Sequence, residues 1–183
     1  SALGRAEWMK FYGLLFGRER EADSLFAVVE KNYQALSEKA NQSKITRSVL
    51  PDRKVGPVWY LPGGESSVGL LYKDAHGMYA YAKDKHSGSL SMPFETVLDK
   101  FVQSDFWILS YRGDFNRAKL LAEFQGYSML KPCRTGEIYG CKVDSIPYFE
   151  EVSWRPDWLL SDLIQLFHPD LQIAPMRYYH KLK

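Results

Sequence analysis

Cysteine is nearly absent from this 183-residue sequence, with only Cys133 and Cys141 present. Two cysteines cannot complete a zinc site by themselves. Tyr127–Pro132 and Ile138–Val143 read as two strands of a hairpin turning at Thr135-Gly136. In that register Cys133 faces Ile138 and Cys141 faces Leu130, so the sulfurs fall on opposite sides of the ribbon and no disulfide is expected. Two free thiols point to a reducing compartment and hence a cytoplasmic protein.

Long apolar runs are missing too. No stretch of 18 apolar residues occurs, and the N-terminus does not read as a leader, so no membrane partner is expected. Net charge is only +2, a field too weak to announce a polyanion binder, which leaves local patches as the means of binding one. The four histidines, His76, His86, His168 and His180, are scattered. None belongs to H-E-x-x-H or a Cys/His ligand cluster, and no G-x-S-x-G elbow is present. No catalytic residue, metal ligand or cofactor is therefore assigned, and the reading leans away from an enzyme.

Aromatic residues are abundant: twelve Tyr, ten Phe and five Trp, or 15% of the chain. With 45% apolar and 25% charged residues the composition is that of a globular protein. The length suits one domain over 1–183, burying roughly 70% of the unfolded surface. Four segments are distinguished: an N-terminal helical pair (1–40), a basic connector (41–54), a sheet core (55–143), and an acidic loop, helix and basic-aromatic tail (144–183).

Helical spacing places helices over 6–16 and from Asp23 or Ser24 to about Ala40. Strands are expected at 58–61, 68–72, 78–82 and 106–111, together with the cysteine-bearing pair. Helices are expected at 91–102, 114–126 and 158–167. Helices and strands mix without strict alternation. The fold class predicted is α+β, with one small mixed or antiparallel sheet of five to six short strands and four to five helices.

Five places are weighed as binding sites, one of them the basic connector Lys44–Lys54, which could meet phosphate or an acidic partner but reads as a solvated loop. Residues 105–143 follow the order of the back half of a winged helix, with Arg112, Arg117 and Lys119 at the reading helix and Lys131 and Arg134 on the wing. The tail interleaves Arg177, Tyr178, Tyr179 and Lys181, a pattern that could stack bases and screen phosphates. The loop Pro62-Gly63-Gly64-Glu65-Ser66-Ser67 has glycines, but a strand is expected after it and it lacks the lysine of a phosphate loop, so it reads as a plain turn. Lastly Trp8, Phe11, Phe16, Trp158 and Phe167 exceed what one small sheet needs for cover, and mark a surface for a protein partner or a second copy. The preferred expectation is a non-catalytic nucleic-acid-binding module. The alternative is a protein-interaction or adaptor domain of a larger assembly.

Overall fold

A computed structural model describes residues 1–183. Three helices open the chain: α1 (Ala2–Ala6), α2 (Trp8–Leu15) and α3 (Glu19–Ala40). Gly17, with φ 64°, ends the α2 turn, and Gly13 lets α2 lie close on Ala22 of α3. Phe26, Val29 and Tyr33 form the buried stripe of α3.

The class is α+β, with seven strands in two sheets. In the first, β1 (Val49–Pro51) pairs in parallel with β5 (Phe106–Tyr111), β5 in parallel with β6 (Ile138–Lys142), and β6 antiparallel with β7 (His180–Lys181). Four consecutive residues of β5, Phe106 to Leu109, are buried. That unbroken apolar run is what a central strand covered on both faces requires. The second sheet is antiparallel: β2 (Lys54–Val55), β3 (Val58–Pro62) and β4 (Ser89–Met92). Helix α9 (Pro156–Phe167) packs between the first sheet and α3, burying Leu160, Ile164 and Phe167 completely.

Three segments differ from their predicted form; one is 78–82, expected as a strand, which holds only an isolated bridge between Met78 and Ser48 followed by a turn. Residues 68–72, expected as a strand, lie within helix α4 (Ser67–Asp74). Ser66 caps it, its hydroxyl accepting from the Gly69 N–H at 3.0 Å and donating to the Gly63 carbonyl at 2.7 Å. The cap outweighs the β-leaning Val-x-Leu-Leu-Tyr run.

The expected cysteine hairpin is absent. Gln125–Met129 is a 3-10 turn, and Lys131–Thr135 is a short helix, α7, with Pro132 in its first turn and Gly136 (φ 73°) at its end. Tyr127 is pulled inward against Trp59, Trp107 and Phe124, so its segment follows the core rather than β6. Without a hairpin there is no wing, and the winged-helix order fails. Both cysteines are free and buried, Cys133 on α7 and Cys141 on β6. Burial pushes their thiols up, to about 11 and about 12. They are shielded and un-ionised, so their free state says nothing of the compartment.

Candidate functional site

The site grows from the carboxyl end of β1. Pro51 closes the strand and Asp52 follows with φ 60°, a left-handed conformation that few residues other than glycine adopt. Its surroundings hold it there. The Asp52 N–H donates to the Ile108 carbonyl at 2.8 Å. The buried Trp107 indole donates to the Asp52 carbonyl, and the buried Trp59 indole to the Pro51 carbonyl at 2.8 Å. The Lys54 N–H donates to the Tyr127 hydroxyl at 3.1 Å. Strained backbone persists where neighbours over-determine it in this way, and such places cluster at ligand sites. The buried aromatic cluster thus positions one turn.

That turn is the floor of a cleft of about 570 Å³ between the two sheets. Its walls are Asp52 and Arg53, Tyr60 from β3, Ser66 and Ser67 at the start of α4, and Ser110 at the end of β5. Parallel sheets characteristically take ligands at the carboxyl ends of their strands, and here β1 and β5 both end in the cleft. The lining is hydroxyl-rich, with Val55 and Val68 adding apolar surface. A second, narrower chamber of about 260 Å³ continues from Asp52 and Ser110 toward Tyr72, Tyr148 and Tyr179. Arg112 stands exposed on an adjoining hollow that also includes Arg53 and Phe149.

Water reaches the Asp52 carboxyl from the open side, while protein atoms crowd the others. This partial desolvation pushes its pKa up to about 6, although Arg53 pulls the other way. The Arg53 guanidinium is engaged elsewhere: it donates to the Ser110 carbonyl at 3.1 Å, pairs with Glu123 at 3.3 Å and lies 4.7 Å from the Phe115 ring centre. The glycine loop before α4 is buttressed rather than open. A Cβ on Gly63 would lie 2.2 Å from the His86 carbonyl oxygen, and one on Gly64 2.4 Å from that of Asp84. A helix follows this loop instead of the expected strand, yet its glycines serve packing.

The sequence-predicted basic residues, Arg112 apart, are engaged within the chain. Lys119 pairs with Asp114, Lys131 with Asp105 at 2.7 Å, and Lys181 with Glu137 at 2.7 Å. Arg117 donates inward to the Cys133 carbonyl and Arg134 to the Met129 carbonyl. Arg177 makes a two-point pair with Glu151, and the buried Tyr178 donates to the same carboxylate. Tyr179 faces the inner chamber. Carboxylates thus pair Lys119, Lys131, Lys181 and Arg177, and carbonyls tie down Arg117 and Arg134, which leaves fewer free cations to meet phosphates. Among the expected partner residues, Trp8, Phe11 and Phe16 are exposed on α2 and its end. Phe167 is buried against Tyr72 and Phe106, and Trp158 lies between the guanidinium groups of Arg155 and Arg177, 3.8 and 4.2 Å from its ring centre.

No family model matches the chain. It is 25% identical over 176 residues, 92% of its length, to an uncharacterized lipoprotein of Methanocaldococcus jannaschii, of which it spans 40%. A possible iron-binding (periplasmic solute-binding) protein from Staphylococcus epidermidis superimposes over 91% of the chain and 62% of that protein, with TM-score 0.69 and 16% identity. IsdE of Staphylococcus aureus, solved with heme, covers 91% of this chain and 65% of its own, with TM-score 0.68 and 21% identity. The fold is that of periplasmic binding proteins, and the chain spans less than two thirds of each of these proteins. Solute-binding neighbours and a lipoprotein relative overturn the nucleic-acid expectation, the adaptor alternative with its protein partner or second copy, and the cytoplasmic, membrane-free placement.

Sequence reasoning missed Asp52, Tyr60, Ser67 and Ser110 as site residues. Pro51-Asp52 directly after the apolar pair Val49-Leu50 was the available signal, since strand ends are where ligands gather. The strand Val49–Pro51 is too short to read without its partner β5.

Proposed function

We propose that this chain forms one wall of a solute-binding cleft in an extracytoplasmic binding protein longer than the chain itself, which hands a small solute to a membrane transporter. The observation that carries the reading is the concave, hydroxyl-rich cleft at the carboxyl ends of β1 and β5, held open by a turn that Trp59 and Trp107 pin in place. Preformed concave sites with a few fixed polar groups are what small ligands use. Its fold neighbours, which include iron- and heme-binding proteins by name, support the class of activity. In this reading the exposed apolar face of α2 and α3 packs against the remainder of the longer protein.

The experiment is a titration of isotope-labelled protein with heme, with a ferric chelate and with a panel of small organic solutes, followed by NMR shifts. At least one solute is expected to move Asp52, Tyr60, Ser67 and Ser110 together. Shifts confined to α2 and α3, or none with any solute, would overturn the proposal.

A further inference from the structure

The inner chamber holds a charge with no partner. Asp52 contributes a carboxylate that accepts no hydrogen bond and forms no ion pair within the protein, because the adjacent Arg53 is committed to Glu123, the Ser110 carbonyl and the Phe115 ring. Around it stand phenols from three separate elements: Tyr72 on α4, Tyr148 on helix α8 (Tyr148–Glu151), and Tyr179 in the tail. Tyr72 is buried and lines this chamber. The remaining walls, Ile108, Leu109 and Val68 among them, are apolar.

Resting on the solute-binding reading, we infer that Asp52, Tyr72, Tyr148 and Tyr179 form a subsite for an organic ammonium group of the solute. An ammonium supplies what the chamber lacks. Its charge compensates the carboxylate, its N–H groups donate to Asp52 and to phenol oxygens, and its carbon substituent meets the apolar wall and ring faces. An anionic group would face the Asp52 charge directly. A neutral group would offer that charge no counter-ion. A multivalent metal ion would find one carboxylate and phenols that burial and mutual repulsion hold protonated, with no cluster of three His, Cys, Asp or Glu to complete its shell.

The test uses three probes of one shape: benzylammonium, benzyl alcohol and benzoate. Binding is measured by calorimetry on the wild-type chain and on Asp52→Asn and Tyr72→Phe, and mapped by NMR. Asn tolerates positive φ nearly as well as Asp, so Asp52→Asn keeps the turn. Wild type is expected to bind benzylammonium at least tenfold more tightly than benzyl alcohol, and benzoate least. Asp52→Asn removes that preference, and Tyr72→Phe weakens benzylammonium severalfold while leaving benzyl alcohol unchanged. If solutes shift Tyr60 and Ser67 in the outer cleft but the probes bind without regard to charge, the ammonium subsite is wrong and the cleft reading stands. If no solute and no probe moves any cleft residue, both are wrong.

Discussion

Two exposed faces of this molecule are built from opposite chemistry. Along α2 and the facing edge of α3, large apolar residues stand exposed, Phe16 76% and Leu25 63% accessible with Trp8, Leu14, Leu15 and Val28, among the charged residues of α3. At the strand ends the lining groups are small or polar, and each is held by something behind it: Pro51 and Asp52 by one tryptophan indole each, Ser66 by the Gly63 carbonyl, Arg53 by Glu123. A face organised from beneath is preorganised, and preorganisation is what lets a site choose a ligand rather than merely adhere to one. The apolar face has the opposite character, that of surface awaiting cover.

Substitutions break or sharpen this contrast. The largest effect is expected behind the cleft. Trp107→Ala removes a fully buried indole and the hydrogen bond to Asp52, and should cost about 3–5 kcal/mol in denaturant unfolding. A cost under 1 kcal/mol would mean that the turn is not held from below. Next, Gly64→Ala drives a Cβ against the carbonyl oxygens of Asp84 and Tyr81, for an expected loss of about 1–3 kcal/mol. Near-neutrality would reopen the loop as a ligand cradle. Tyr60→Ala, half exposed on the cleft wall, should weaken solute binding by about tenfold, roughly 1.4 kcal/mol, with little change in melting temperature. The smallest effect belongs to the apolar face. Phe16→Ser should alter stability by no more than about 0.5 kcal/mol, and a larger loss would show that the face is packed within this chain.

Protonation separates the regions further. The Asp52 carboxyl is raised in the folded state to about 6, above its unfolded value, so the folded protein holds the extra proton between about pH 4 and pH 6. This group therefore adds stability at low pH that is lost as pH rises through that window. Asp52→Asn should leave stability unchanged at pH 4 and raise it slightly at pH 7.5, by thermal melting at both values. Glu137 runs the other way. Lys181, Arg47 and Tyr139 outweigh its burial and hold its carboxyl down near 2, so its contribution is present above the unfolded value and lost as pH falls toward 2. Glu137→Gln should destabilise at pH 7 and be neutral at pH 2.

Much of the fold could be read from the sequence wherever periodicity was long. The stripe of α3, the apolar run of β5 and the last helix α9 fell within a few residues of expectation. Misreading came where a local signal was short and a tertiary contact decided. Residues 68–72 carry β-branched and aromatic residues, yet the Ser66 cap sets a helix. Tyr127 reads as the start of a strand, yet Trp59 and Trp107 draw it inward. The site was less legible than the fold, because its parts lie far apart in the chain: Asp52, Tyr60, Ser67, Ser110 and Tyr179 meet only once β1 and β5 are paired. The basic residues that looked like a binding face had carboxylate or carbonyl partners that spacing alone does not reveal, Lys131 with Asp105 and Arg177 with Glu151 among them.

The central claim is that the strand-end cleft, and not the apolar helical face, takes the solute. Chemical-shift mapping of a bound solute tests it most directly. Coincident shifts are expected at Asp52, Tyr60, Ser67 and Ser110 that saturate together and weaken in Tyr60→Ala. A saturating set of shifts centred on Trp8, Phe16 and Leu25, unaffected by Tyr60→Ala, would contradict it.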